Sequence, residues 1–439
     1  MPKDPKDKDA LDALGGELQV AANGLLSRRV FLRGGALFVG ARATSGVVSD
    51  TAHAAGASDF PPPWRTRPGR PFIGYGVPSG FEQGVQRLLP QRPPGHPTPG
   101  AGASFTPLQM LHGIITPNGL HYERSHNGVP DIDPSRHTLL VHGLVRRPLM
   151  FTMDALLRYS TVTRIYFLEC TGNSLGGWTA PSPAGPLGRM HGLVSCAEWT
   201  GIPLSVLLDE AGVDPKAKWI LAEGIDASGM GRSVPMAKCM DDAILALYQN
   251  GERIRPEQGY PVRLLLPGYE GNMSVKWIHR IKATEGPTYT KDETSKYTDL
   301  LPDGRALQFT FNMDVKSTIT RPSEGLTLQG PGLYEISGLA WSGAGRIARV
   351  DVSADGGKTW AQAALQDPVL PKALARFRLA WRWDGRPVTL QSRARDERGF
   401  VQPTRGELVA QRGIRSVNHY NGITSFHVSE SGEVKNAWA

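Results

Sequence analysis

The segment Arg164-Ile165-Tyr166-Phe167-Leu168-Glu169-Cys170-Thr171-Gly172-Asn173 runs from a β-branched and aromatic stretch into a polar turn. Its first half reads as a buried strand, and Thr-Gly-Asn after the cysteine as the turn that ends it. The strand fixes the backbone of Cys170, and Gly172, lacking a Cβ, leaves room for a bulky group to approach the main chain. A thiol so placed is either a small buried hydrophobe or a ligand. In an oxidising compartment an unpaired thiol is a liability unless it has a partner, and a soft metal is such a partner. Cys196 and Cys239 sit in apolar or helical surroundings with no such turn, so they read as structural.

Outward from this strand, residues 106–310 mix short strands and short helices without a βαβ repeat, which points to an α+β domain. Thr138 to Gly143 reads as a strand. Phe151 to Tyr159 reads as a short helix capped by Thr152, with Met153, Leu156 and Leu157 as its apolar face. Leu204, Leu207, Leu208 and Ala211 lie at helical spacing, and Gly212 ends that helix. Val262 to Leu266 is a strand stopped by Pro267-Gly268, and Val275-Lys276-Trp277-Ile278 begins the next.

Residues 311–439 alternate short strands with the turns Gly330-Pro331-Gly332, Asp355-Gly356-Gly357 and Asp384-Gly385. Trp341, Trp360, Trp381 and Trp383 supply core bulk, and the pattern is that of an immunoglobulin-like β-sandwich. Three motif-like strings fall here. Gly343-x-Gly345-x-x-Ala348 mimics a dinucleotide fingerprint but leads into an alternating strand. Gly357-Lys358-Thr359 lacks the upstream glycine of a phosphate loop, the position being Val352. Asp351-x-Ser353-x-Asp355-Gly356 lacks the glutamate of a calcium loop, the position being Gln362. One hairpin explains all three.

The chain has 439 residues, a charged fraction of 21% and a net charge of +8. So small a charge over this length, with scattered bases and no zinc-finger or aromatic RNA-binding motif, argues against nucleic acid as partner. Three cysteines with no C-x-x-C exclude a disulfide framework and a covalently attached haem. No apolar run approaches the roughly 20 residues needed to span a bilayer. Residues 1–54 read as a twin-arginine export region: Ser27-Arg28-Arg29-Val30-Phe31-Leu32-Arg33, an apolar stretch from Ala36 to Val48, and a cleavage site at Ala52-His53-Ala54. That order predicts a periplasmic protein. Residues 55–105, rich in Pro and Gly, read as an extended arm.

Five ordered motifs over residues 105–439 together resemble the sulfite oxidase family of molybdenum enzymes. They are Tyr122-Glu123-Arg124-Ser125-His126; Glu169 to Asn173; Glu198-Trp199-Thr200-Gly201-Ile202-Pro203-Leu204; Pro261-Val262-Arg263 with Pro267-Gly268 and Val275-Lys276-Trp277; and Val352-Ser353-x-Asp355-Gly356-Gly357-Lys358-Thr359-Trp360. The resemblance implies a molybdopterin-binding catalytic domain at 106–310, followed by a sandwich at 311–439 that makes a homodimer. It implies Cys170 as the thiolate ligand of molybdenum, and Arg124, Tyr297 and Cys170 as the catalytic set. Tyr122, Arg124, His126, Asp226, Gln258, Arg263, Ser274, Val275 and Lys276 are implied to hold the molybdopterin cofactor. Gln258 stands where the family has a histidine.

One departure points further. Sulfite-oxidising members carry an arginine five residues after the ligand cysteine, where this chain has Leu175. A pocket with one fewer cation favours a sulfur group on a protein arm over a free dianion. With Lys291–Pro322, this likeness is to the sulfane dehydrogenase branch, which oxidises sulfur on a carrier protein and passes electrons to a c-type cytochrome partner, there being no haem in this chain. A free sulfite dehydrogenase on the same fold is the alternative. A methionine-sulfoxide reductase lacks the C-terminal sandwich, and a metal-free β-sandwich binding protein would have no use for Cys170, Arg124, His126, Lys276 and Tyr297 together. Arg189 is a candidate replacement cation. The histidines His112, His121, His137, His142, His191, His279, His419 and His427 lack metal spacing and read as ordinary residues.

Overall fold

The structure is a computed structural model that describes residues 19–27, 62–90 and 100–438; the paired arginines, the apolar stretch and the cleavage site of the export reading lie outside the described residues. Two units separate along the chain. Residues 28–85 form one. Its described part is a largely exposed arm with a helical turn at Pro63–Thr66 and a 3-10 turn at Gly80–Glu82, capped by Ser79. Residues 86–439, with the stretch 19–27, form the other.

In the half before residue 311, strands run in chain order as β1 (Glu123–Ser125), β2 (Thr138–Gly143), β3 (Leu149–Thr152), β4 (Val162–Glu169), β5 (Val194–Pro203), β6 (Trp219–Gly224), β7 (Gly231–Pro235), β8 (Ile244–Gln249), β9 (Arg263–Leu265) and β10 (Ile278–Thr284). One sheet has the order β7-β6-β10-β2-β3, with only β10 and β2 parallel. A second has β8-β5-β4 in order, with β9 also on β8. Helix α1 (Leu204–Ala211) buries all four residues of its apolar stripe completely, and Gly212 ends it at φ +69°. Each of its leucines contributes about 1.5–3 kcal/mol relative to an exposed position.

Two local expectations need correction. The helix expected from Phe151 spans only Met153–Leu156, with Thr152 Oγ1 accepting from the Ala155 N–H at 3.2 Å. Phe151 pairs with Leu139 in the sheet instead, and Leu157 is exposed. The strand expected from Val275 starts at Ile278. Trp277 adopts φ +52°, held there by its indole N–H donating to the Pro256 carbonyl at 2.9 Å.

The C-terminal half continues with β11 (Lys316–Arg321), β12 (Gly332–Trp341), β13 (Ile347–Ser353), β14 (Ala375–Trp383), β15 (Val388–Asp396), β16 (Ser425–Val428) and β17 (Val434–Ala437). They form two stacked sheets, β14-β12-β11 and β13-β15-β16-β17. Trp341, Trp381 and Trp383 are buried between them. Trp360 is not: it sits half-buried at the rim with the Arg393 guanidinium 4.4 Å from its ring. The hairpin after β13 turns on Gly356 and Gly357, both at positive φ, with Asp355 Oδ1 accepting the N–H groups of Lys358 and Thr359. The glycines at 343 and 345 lead into β13 itself, so no dinucleotide fold exists there.

Residues 19–26, within the stretch assigned to the export region, extend the first sandwich sheet. Leu25 pairs with Trp381 and is fully buried, and the Trp381 indole N–H donates to the Asn23 carbonyl at 2.8 Å. Gly24 must be glycine: at φ +82°, a Cβ would lie 1.9 Å from the Arg382 carbonyl oxygen.

Candidate active site

The cysteine turn hangs from β4 and is tied on both sides. The Cys170 N–H donates to the Leu193 carbonyl at 2.9 Å, and the Asn173 N–H donates back to the Cys170 carbonyl at 2.8 Å. Asn173 bridges the turn: its amide donates to Glu169 Oε1 at 2.8 Å and its oxygen accepts the Leu193 N–H at 3.0 Å. Glu169 is buried and binds the sandwich. It accepts from Lys316 Nζ at 3.2 Å and from the Trp341 indole at 2.6 Å. Lys316 in turn donates to Ser174 Oγ at 2.6 Å. The residues flanking the cysteine are therefore the joint between the two halves of the molecule. Gly172 faces open space. Burial pushes the Cys170 thiol up, while the Gly172 N–H and Arg124 act in the opposite direction.

Cys170 opens into a cleft. All eleven residues singled out in the sequence line it: Cys170, Arg124, Tyr297, Tyr122, His126, Asp226, Gln258, Arg263, Ser274, Val275 and Lys276. One wall is cationic. The Arg263 guanidinium donates to the carbonyls of Gln258 and Ser274, each at 2.9 Å, and Lys276 Nζ to Ser125 Oγ at 3.2 Å and the Glu257 carbonyl at 3.0 Å. Gln258 fixes Tyr122 through its carbonyl at 2.9 Å, and Asp226 is held by the Ser228 hydroxyl at 2.6 Å. Among the described residues no carboxylate comes within ion-pair distance of Arg263 or Lys276. Burial pushes Lys276 down to about 7, aided by Arg263, and pushes Arg263 down to about 10. Arg263 Nε is buried without a partner. Buried cations whose hydrogen bonds go only to neutral oxygens suit an anionic ligand, and the Cys170 thiol in the same cleft suits a soft metal. These residues fit a phosphate-bearing pterin that carries molybdenum.

The cleft also holds Arg124, Tyr297 and His126. Arg124 donates to the Gly102 carbonyl at 3.2 Å and to the Ser125 carbonyl. Tyr297 Oη lies 3.1 Å from His126 Nε2. Burial lowers His126 to about 4, with Arg124 adding to the effect, so its ring is neutral near pH 7. Burial and Cys170 push the Tyr297 hydroxyl up, so it keeps its proton.

Leu175 is half exposed at the start of the 3-10 turn Leu175–Trp178 and does not line the cleft. Arg189 is exposed on the short helix Leu187–His191 and does not reach the cleft either. The sequence reading missed Arg232, Glu270 and His419, which sit buried behind Tyr297. His419, read as ordinary, is 3.0 Å from Glu270. The signal available was weak: a charged side chain inside the short strand Gly231–Pro235, and another straight after the turn at Pro267-Gly268.

The family described as oxidoreductase molybdopterin binding domain matches residues 126–291, and the Mo-co oxidoreductase dimerisation domain matches 308–424. The mitochondrial sulfite oxidase of Mus musculus is 32% identical over 297 residues, 63% of this chain and 53% of its own length. The NADH nitrate reductase of Solanum lycopersicum is 34% identical over 319 residues, 64% of this chain and 34% of its own length. The chain thus spans about half or less of these curated relatives. The solved structure of the sulfane dehydrogenase SoxCD from Paracoccus pantotrophus is 47% identical and superposes with a TM-score of 0.83, over 86% of this chain and 97% of that one. A molybdopterin fold in the first half, the dimerisation sandwich in the second and a cleft lined by a cysteine thiol and buried cations place this chain in the sulfite oxidase family of molybdenum-cofactor oxidoreductases.

Proposed function

We propose that the chain is the molybdenum subunit of a periplasmic sulfane dehydrogenase, acting on sulfur bound to a carrier protein and passing electrons to a c-type cytochrome. The observation that carries this reading is the 47% identity sustained over 97% of the SoxCD chain, against 31–34% for the sulfite oxidases and nitrate reductases named among its relatives. In this reading the sandwich makes a homodimer, and the arginine pair at 28 and 29 directs export.

The Cys170 thiolate would hold the metal, and Gln258, Arg263, Ser274 and Lys276 the pterin and its phosphate. Bound molybdenum supplies oxygen-atom transfer and accepts two electrons per event. The chain's own residues prepare the sulfur side. Arg124 places a fixed positive charge where negative charge grows on the sulfur oxygens. Tyr297 holds its proton at Oη and turns from His126 Nε2 to donate to the same oxygens, and the neutral His126 adds no competing charge. Each event inserts one oxygen derived from water and releases two protons and two electrons. Three events convert a carrier-bound –S–SH into –S–SO3H, six electrons in all. Sulfite to sulfate takes one event and two electrons.

The test counts electrons. The enzyme and a c-type cytochrome are mixed with sulfane-loaded carrier, and with sulfite in parallel. Six electrons per sulfane sulfur with little sulfite turnover is the expected result. Two electrons from sulfite and none from the carrier would make this a sulfite dehydrogenase.

A further inference from the structure

Tyr297 follows a helix of only one turn, Lys291–Ser295, so its ring must be held by something other than its own element. One face of the ring carries the Arg232 guanidinium, with Cζ 4.6 Å from the ring centroid. Arg232 is on β7, 2% exposed. Its Nε donates to Met273 Sδ at 2.9 Å, its Nη2 lies 3.9 Å from Glu270 Oε2, and its Nη1 is buried without a partner. An arginine does not shed its proton, so a buried one needs a nearby negative charge.

Glu270 supplies that charge and is itself fixed from three directions. Thr310 Oγ1 donates to Oε1 at 2.5 Å, Asn272 Nδ2 to Oε2 at 2.8 Å, and His419 Nε2 lies 3.0 Å from Oε1. His419 belongs to the chain just before β16. Its ring Nδ1 is 3.6 Å from Asp314, an ion-pair distance rather than a hydrogen bond, and Asp314 is also held by Arg412 at 3.3 Å. Its backbone N–H donates to the Thr171 carbonyl at 2.8 Å, one residue past the cysteine. A single line of alternating charge therefore runs from Asp314 through His419, Glu270 and Arg232 to Tyr297. None of the three central residues lines the cleft, so none of them contacts what binds there.

We propose that Arg232, clamped by Glu270 and His419, is the positioning residue for Tyr297, so that a segment of the C-terminal domain sets the geometry of the sulfur side of the cleft. Arg232 presents its cation to the ring face, which fixes the ring plane and hence the arc that Oη can sweep. His419 acts at two points, on the cysteine turn through its backbone and on Tyr297 through Glu270. The inference holds for either sulfur substrate, and it is testable without turnover.

The test uses the purified full chain with its metal content measured. Hydrogen exchange of the segment 291–300 is followed in wild type, Arg232→Met, Arg232→Lys and His419→Ala. Expected is exchange about tenfold faster in this segment for Arg232→Met and for His419→Ala, with Arg232→Lys within about threefold of wild type. Unchanged exchange there, with the effect of His419→Ala confined to 413–424 and 169–173, overturns the proposal. A double-mutant cycle on kcat, with whichever sulfur substrate is turned over, reads the same coupling. Arg232→Met should lower kcat about tenfold with KM within about twofold, yet cost less than about twofold in a Tyr297→Phe background. Multiplicative losses in the double variant would show that Arg232 acts independently of Tyr297. If Arg232→Met does not fold, Glu270→Gln gives the same cycle, because it removes the charge that clamps Arg232 and keeps side-chain volume.

Discussion

The wall of the cleft built from Arg263 and Lys276 and the layer behind Tyr297 both bury positive charge, but on opposite plans. Arg263 and Lys276 meet carbonyl and hydroxyl oxygens. Arg232 and His419 meet carboxylates, Glu270 for both and Asp314 for the second. The first arrangement is strained until an anion arrives, which is what a binding wall requires. The second is internally balanced, which suits a scaffold whose geometry must not depend on what is bound. The chain thus uses the buried cations Arg263 and Lys276 as bait and Arg232 and His419 as framework.

The sharpest break of this contrast is at Lys276. Lys276→Met removes a buried charge that has no carboxylate partner, so the protein without cofactor should lose little or no thermal stability. Molybdenum content of the purified protein should fall by about tenfold or more, because the lost contact is a charge-assisted one to an anion. Elemental analysis beside a thermal melt checks both halves. A large fall in stability with metal content intact would mean that Lys276 belongs to the framework after all.

Next in size is the joint between the two halves. Glu169→Gln leaves Lys316 charged and buried without its counter-charge, and a broken buried pair costs about 3–5 kcal/mol. Removing both charges together, Glu169→Gln with Lys316→Met, should recover much of that loss. Denaturant midpoints for Glu169→Gln, Lys316→Met and the double variant decide it: additive losses would mean that Glu169 works through the Trp341 indole and Asn173, and not through Lys316.

The contrast also explains what the sequence showed. The fold class and the sandwich were legible in strand and turn patterns, and Cys170 in a cysteine at a strand end with its turn; the other ten cleft-lining residues named in the sequence were legible only through the family resemblance, carried mostly by short contiguous motifs. The framework behind Tyr297 was not legible. Its members are drawn from distant segments, Glu270 and His419 lying 149 residues apart, and each looks ordinary in its own neighbourhood. Leu175, where sulfite-oxidising relatives are read to carry an arginine, is half exposed and does not line the cleft, so it supplies no cation there. Trp360 was misread as core, since alternation along a strand says nothing about its rim, where Arg393 covers the ring.

The smallest effect concerns pH. Burial alone would lower His419, but Asp314 and Glu270 outweigh it and hold the ring at about 9, against 6.5 for a free histidine. Glu270 is depressed to about 2 in spite of burial, chiefly by His419 and Arg232. A histidine raised on folding contributes stability that is fully present below about 6.5 and is lost as pH rises through about 9. A depressed carboxylate contributes stability present above about 4.5 and lost as pH falls through about 2. The pair is therefore fully stabilising between about pH 4.5 and 6.5. His419→Gln keeps a donor toward Glu270 but carries no charge. Its melting temperature should trail wild type by about 4 °C near pH 6, and the gap should shrink toward zero by about pH 10. A gap that stays constant across this range would mean that His419 is held neutral, and that Glu270 answers to Arg232 alone.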